Sequence, residues 1–283
     1  MSKALYFSLY CKDKNNVDYY SMLYHALQTL EKHAPFDFEV VVFYSTPKFN
    51  FHTYNHLGKF NLVKDFPWVN FYPSEFTKYN KDTQMHKWFN LKYVFQLGYK
   101  RVFYLDCDVI FSKDPSHIFD EYPKTFGIYH MLEGLDTPIA KVLGQAGAAS
   151  GQWIIDNDTF QMANNLLNNL FDSIVIKRIE LRKIAYKILD KKTADWYCTV
   201  DEQYAAQMTL KDKGIPSIAM HADAVNWHNV FEVNIKDKDI EFIDLNNTRV
   251  LHYLGHNGYL AVPKYLHTLP MQNRLKAYIK ENK

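Results

Sequence analysis

The sequence predicts an α/β protein built on a largely parallel sheet, and three observations predict it. Short apolar runs alternate with segments of helical periodicity along most of the chain. Punctuating residues stand where these segments must stop, Pro47, Gly98 and Gly214 among them. The composition is that of a globular protein, with 47% hydrophobic and 23% charged residues over 283 positions. A chain of that length buries enough surface to fold without a disulfide or a structural metal.

The elements follow in order. Ala4–Tyr10 reads as a first strand. Tyr20, Leu23, Tyr24, Leu27 and Leu30 then recur at helical spacing, with Asp18 placed as the N-cap. Phe38–Tyr44 reads as a second strand. Asp82–Leu97 carries the stripe Trp88, Leu91, Phe95, and Gly98 sits at the C-terminal cap. Arg101–Leu105 is a strand that ends in Asp106. Phe126–His130 and Gln152–Asp156 are further short strands. Two helices are expected next, one over Thr159–Phe171 (Phe160, Ala163, Leu167, Leu170 on one face). The other lies over Lys177–Leu189, with Leu181, Ile184 and Ile188 as its apolar stripe. A helix after Asp201 stops at Gly214, and short strands lie near Pro216–Met220 and Arg249–Tyr253. The Gly/Ala-rich stretch 130–150 is expected to loop over the carboxyl ends of the strands. In open α/β sheets ligands bind there. No linker or repeat divides the chain, so one domain over 1–258 is expected, with 259–283 as a tail or helix packed on it. Met271, Leu275 and Tyr278 give that tail helical spacing beside several lysines.

Charge and cysteine usage exclude several classes. Lys+Arg 33 against Asp+Glu 31 leaves a net charge of +2, without the basic excess of a general nucleic-acid binder. Cys11, Cys107 and Cys198 stand far apart, with no CxxC and no zinc-finger spacing. That usage suits a reducing compartment. No apolar run reaches the ~20 residues of a membrane-spanning helix. The Ala4–Tyr10 run is too short for a signal-peptide core. A soluble, cytoplasmic protein with neither nucleic-acid partner nor membrane span is the expectation.

The informative motif is Arg101-Val-Phe-Tyr-Leu-Asp-Cys-Asp-Val-Ile-Phe111. A buried strand delivers Asp106 and Asp108 to its carboxyl end. In extended chain, residues two apart point to the same side. Two like charges there repel unless a cation or proton separates them. Hard carboxylate oxygens suit Mg²⁺ or Mn²⁺, and such an ion clamps a diphosphate. Two enzyme classes use such a pair. In a haloacid-dehalogenase-type phosphatase Asp106 would be the nucleophile and Asp108 the acid/base. That class opens with the aspartate strand, however, and about a hundred residues precede it here. In a metal-dependent nucleotide-sugar glycosyltransferase a nucleotide-binding half comes before the pair, as in this order. A nucleotidyltransferase would carry an early glycine-rich loop, and Cys11-Lys-Asp-Lys-Asn-Asn16 has no glycine.

Further motifs stand in series around this pair. Phe7-Ser8-Leu9-Tyr10 ends the first strand and Tyr19 opens the next helix. His86-Lys-Trp88 lies upstream of Asp106-Cys-Asp108. Ala149-Ser150-Gly151-Gln152, Asp201-Glu-Gln203 and His252-Tyr-Leu-Gly255-His-Asn-Gly258 follow. In this order they resemble glycosyltransferase family 8, the glycogenin-like and galactosyltransferase-like retaining enzymes.

The resemblance spans roughly residues 4–258. It implies a GT-A fold, a Rossmann-like three-layer α/β/α architecture with a mainly parallel central sheet. It implies that Asp106, Asp108 and His252 hold Mn²⁺ (or Mg²⁺). Ser8, Leu9, Tyr10, Tyr19, Lys87, Asp106, Cys107, Ser150, Gly151, Gln152, Gly255 and His256 would contact the nucleotide-sugar, a UDP-sugar by this likeness. An acid at Asp201 or Glu202 would bind donor-sugar hydroxyls, and Gln203 would lie near the anomeric carbon. The implied reaction is retaining transfer of a hexose to an acceptor hydroxyl of a saccharide or protein-linked glycan. Ala149 stands where the family has Asn, and Gly258 where it has Lys. These departures keep a catalytically inactive nucleotide-sugar-binding module as an alternative. Trp227, His228 and Asn229 could line an acceptor site or pack in the core.

Overall fold

The computed structural model describes residues 2–12, 18–56, 58–76, 83–111, 113–132, 148–162, 166–220, 225–226 and 250–252; for 225–226 and 250–252 it describes the backbone alone. Ten strands and eight helices are described. The strands are β1 (Lys3–Tyr10), β2 (Glu39–Ser45), β3 (Asn70–Pro73), β4 (Arg101–Leu105), β5 (Val109–Phe111), β6 (Ile128–Leu132), β7 (Ala148–Asp156), β8 (Ser217–Ala219), β9 (Val225–Asn226) and β10 (Val250–His252). The helices are α1 (Asp18–Leu30), α2 (Leu62–Asp65), α3 (His86–Gln96), α4 (Ile118–Glu121), α5 (Asn157–Met162), α6 (Leu166–Ile188), α7 (Lys191–Tyr197) and α8 (Asp201–Asp212).

Seven strands form one mainly parallel sheet in the order β3-β2-β1-β4-β7-β6-β8, and β5-β10-β9 form a second. Strands covered by helices on both faces read as continuous apolar runs rather than alternating ones. Ala4–Phe7 and Val102–Phe103 are fully buried accordingly. The chain divides into two compact units that interleave in sequence.

One unit comprises Leu5–Asn80, Leu105–Glu121 and His221–Lys283. Its helix α1 buries Tyr20, Leu23, Tyr24, Leu27 and Leu30, the stripe that the periodicity predicts. β2 and β3 pair in parallel, with Val42 opposite Phe71. β3 escapes the sequence reading because four residues, Asn70–Pro73, are too few for a period. β5 pairs antiparallel with β10, and β10 runs parallel to β9. The Phe111 amide of β5 donates to Thr29 Oγ1 at 3.1 Å, so α1 carries the strand that follows the paired aspartates.

The other unit comprises Met1–Ala4, Lys81–Tyr104 and Tyr122–Met220. β6 runs antiparallel to β7 and parallel to β8. At Gly127, ahead of β6, φ is +155° and a Cβ would stand 2.8 Å from Ile218 Cδ1 and 2.9 Å from the Pro216 carbonyl. Only glycine allows β6 and β8 to approach there. The two helices expected over Thr159–Phe171 and Lys177–Leu189 are divided differently. Residues 157–162 form short α5, and Leu166–Ile188 is one helix of 23 residues. No proline or glycine interrupts Asp172-Ser-Ile-Val-Ile-Lys177. Leu170, Ile174, Arg178, Leu181 and Ala185 bury one continuous face across the expected break. Leu181 is buried as expected, whereas Ile184 and Ile188 are exposed.

No helix among the described residues is long and apolar enough to cross a membrane. The tail 259–283, most of the 130–150 stretch and Trp227–Asn229 lie outside the described residues.

Candidate active site

In the first unit, the carboxyl end of β1 meets the turn that holds the paired aspartates. Leu9 is buried, while Ser8 and Tyr10 are partly exposed. Cys107 Sγ donates to the Ser8 carbonyl at 3.5 Å, which ties the end of β1 to the aspartate turn. Burial pushes the Cys107 thiol well up, and the neighbouring Asp106 and Asp108 charges push the same way. Cys107 is therefore a neutral thiol that donates a hydrogen bond. Asp106 is partly exposed and Asp108 is 4% exposed.

β10 brings a third residue type to this turn. Its register with β5 sets His252 opposite Val109, the residue directly after Asp108. The backbone register thus sets position 252 beside the residue that follows the second aspartate. Among the described residues no three His, Cys, Asp or Glu side chains form a metal cluster, and the His252 side chain is outside them. Tyr19, in the first turn of α1, is 39% exposed, while its neighbour Tyr20 is buried and accepts from the Leu62 amide.

The second unit gathers the other predicted residues around the start of α8. Lys87 Nζ stands 3.4 Å from Glu202 Oε2, with both side chains almost fully buried. Trp88 Nε1 donates to the second Glu202 oxygen. The Lys87 ammonium lies 5.5 Å from the centroid of the Tyr104 ring. Trp153 stacks on Trp88 at 5.1 Å and on Tyr104 at 4.8 Å, which fixes both rings. Gln152 is fully buried beside this stack in β7, and Gly151 precedes it there; of Ser150 only the backbone is described.

Asp201 has a different environment. Its side chain is fully buried. Oδ1 accepts from Arg178 Nε at 2.8 Å and from Arg178 Nη2 at 2.6 Å, and Oδ2 accepts from Arg182 Nε. Both oxygens are thus held by guanidinium groups of α6, which anchors α8 to α6. Gln203 is partly exposed, and its backbone N–H donates to the Val200 carbonyl at 3.3 Å. Gly255 and His256 lie outside the described residues.

Sequence reasoning missed Trp88, Tyr104, Trp153, Arg178 and Arg182 as partners of this cluster. One signal was available: Arg178 and Arg182, four apart on a helix, share a face and can grip one carboxylate. Trp88 looked like core because it also belongs to the buried stripe of α3.

Neither a protein-family model nor a curated protein sequence matches the chain. Solved structures do match it. The glycosyltransferase GlyE of Streptococcus pneumoniae TIGR4 superposes with a TM-score of 0.57 at 13% identity, over 99% of this chain and 64% of that one. The bifunctional glycosyltransferase WbbM gives 0.54 at 11% identity, over 90% of this chain and 46% of its own. Galactosyltransferase LgtC, solved with donor and acceptor sugar analogs, gives 0.53 at 13% identity over 95% of each chain. This chain therefore spans less than two thirds of GlyE and less than half of WbbM, and nearly all of LgtC. At such identities the likeness is one of architecture. With its mainly parallel seven-stranded sheet and these neighbours, the chain has the GT-A glycosyltransferase fold.

Proposed function

We propose that the protein is a metal-dependent, retaining glycosyltransferase that moves a hexose from a UDP-sugar to an acceptor hydroxyl. The observation that carries this reading is the β5–β10 register, which sets His252 opposite the residue following Asp108. Asp106, Asp108 and His252 would hold Mn²⁺ or Mg²⁺. A divalent cation bound there supplies Lewis-acid stabilisation of the charge on the leaving nucleotide diphosphate.

The chain's own residues divide the remaining work. The end of β1 (Ser8, Leu9, Tyr10) with Tyr19 receives the nucleoside, and Cys107 fixes that strand end against the aspartate turn. Lys87 adds a buried positive charge beside the donor. Glu202 binds donor-sugar hydroxyls, its carboxylate oriented by Lys87 and Trp88. Of the two adjacent acids Glu202 takes this role, because its partners are Lys87 and Trp88 of the proposed donor site, whereas Asp201 is clamped by Arg178 and Arg182 of α6. Gln203 faces the anomeric carbon. An amide is a poor nucleophile, so same-face substitution through an oxocarbenium-like state suits it better than a covalent intermediate. Gly151 and Gln152 line the sugar where the family has its Asn turn. The acceptor is a saccharide or protein-linked glycan. Three strands precede β4, an order that does not suit a phosphatase whose nucleophile strand opens the fold.

The test is a thermal-shift and hydrolysis screen of nucleotide-sugars with Mn²⁺ or EDTA. A UDP-sugar should raise Tm in the presence of Mn²⁺ by mass action and be slowly hydrolysed. Asp106→Asn or Asp108→Asn should abolish both effects. Full turnover in EDTA overturns the metal site. Binding without hydrolysis or transfer returns the inactive-module reading.

A further inference from the structure

Helix α6 carries a second periodic face that the fold does not use. Its core face is Leu170, Ile174, Leu181 and Ala185, all buried. On the opposite side stand Asp172, Ile176, Ile179, Lys183 and Tyr186, at successive spacings of four, three, four and three. That is heptad spacing, the seam of a helix that packs lengthwise on another helix. Ile176 is 59% exposed, Ile179 50% and Tyr186 53%, and Asp172 and Lys183 are exposed as well. Ile184 and Ile188 lie off this seam and take no part in it. The seam is ordered by charge. An acid stands toward its N-terminal end and a lysine toward its C-terminal end, with the two isoleucines between them. Glu180, beside the seam, is engaged by Lys177 at 3.2 Å. Tyr186 Oη donates to Asp195 Oδ1 at 2.7 Å, which holds the ring at the end of the seam.

This order of charges selects the occupant. A parallel helix of the same sequence would set Asp172 against Asp172 and Lys183 against Lys183, like charge on like. An antiparallel one, related by a two-fold axis level with Lys177 and Arg178, brings unlike groups together. Ile176 then packs on Ile179 of the partner subunit, and the axis repeats the contact. Outside these two layers Asp172 meets Lys183 of the partner subunit, again twice. Further out, Tyr186 and Lys187 fall against Asn169 and Asn168 of the partner subunit, exposed amides that accept hydrogen bonds. A face complementary to its own copy is what a closed two-fold dimer requires. From these features we propose that the outer face of α6 pairs antiparallel with the same face of a second copy of this chain. Two isoleucine layers make a small contact, so association belongs in the micromolar range, not in the obligate class. The inference is independent of the donor and metal chemistry.

The experiment is sedimentation velocity of the full chain across the micromolar range. The parent chain should pass from monomer to dimer as concentration rises. Ile176→Ser/Ile179→Ser should raise the dissociation constant roughly tenfold or more. Asp172→Lys sets lysine against lysine across the axis and Lys183→Asp sets acid against acid, so each alone should weaken the dimer. The double variant Asp172→Lys/Lys183→Asp restores both pairs and should dimerise again. An equimolar mixture of the two single variants should form a mixed dimer for the same reason. Because these side chains are exposed, Tm at low concentration should stay close to that of the parent chain in every variant. A chain that stays monomeric throughout the range overturns the proposal. So does a dimer that the isoleucine pair leaves intact, which would assign self-association to another surface. A dimer lost in the single charge variants and not recovered in the double variant or the mixture overturns the antiparallel pairing.

Discussion

Lys87 and Glu202, 115 positions apart in sequence, form a buried ion pair at 3.4 Å, and Trp88 donates to the same carboxylate. Buried charges are tolerated only when paired, so neither member can be removed alone without leaving the other uncompensated. Lys87→Met and Glu202→Gln should each destabilise the fold by about 3 kcal/mol. The double variant should recover part of that loss, which a double-mutant cycle in urea reads directly. Transfer should fall in all three variants, including the double, because catalysis needs the charges and folding only their balance.

Asp201 and Glu202 are adjacent acids with opposite expected phenotypes. Asp201 is fully buried against Arg178 and Arg182. Asp201→Asn should cost roughly 3–5 kcal/mol, since it leaves two guanidinium groups facing a neutral amide in the interior. At a temperature where the variant is folded, its KM for the donor should change little. Glu202→Gln should raise that KM or lower kcat by two orders of magnitude or more. Equal kinetic losses in the two variants would remove the division of roles.

How much of this was legible in the sequence depends on what each residue had to reveal. The strand ending in Asp106 was legible because Val102–Leu105 is apolar on both faces and two carboxylates follow at once. The α1 stripe was legible because its period is long and uninterrupted. The division of α6 was not, since the β-branched run Ile174-Val175-Ile176 lowers helix propensity while its packing sustains the helix. The role of Asp201 was hidden for another reason. A helix N-terminus favours acids whatever they do, and only the distance to Arg178 and Arg182 separates an anchor from a ligand. The partnership of Lys87 with Glu202 is a long-range contact that no spacing encodes.

Two buried histidines set the acid limit of the fold. Burial holds His86 at about 3 and His130 at about 4, against an ordinary value of 6.5. Both are neutral in the folded chain, while the unfolded chain protonates them below about pH 6.5. The unfolded state therefore binds more protons as pH falls, and stability present above 6.5 is lost on the way down. Each histidine should cost about 2 kcal/mol by roughly pH 5. Tm measured across that window should decline steeply. His86→Asn or His130→Asn should flatten the slope, whatever it does to Tm at neutral pH. An unchanged slope in both variants would place the acid sensitivity elsewhere.

Thr29 links a core helix to the proposed metal turn. Its hydroxyl accepts from the Phe111 amide at 3.1 Å and itself donates within α1, to the Ala26 carbonyl at 2.9 Å. Thr29→Val keeps the side-chain shape and removes the acceptor, leaving a buried N–H in β5 without this bond. The expected cost is about 1–3 kcal/mol in stability. β5 starts directly after Asp108 and carries β10, so loosening it should displace the aspartates relative to His252 as well. Mn²⁺ affinity, titrated calorimetrically on folded protein, should therefore drop in Thr29→Val. A control substitution in the other unit, Thr159→Val, should leave it unchanged. Equal metal affinity in the two variants would mean that β5 does not hold the aspartate turn in place.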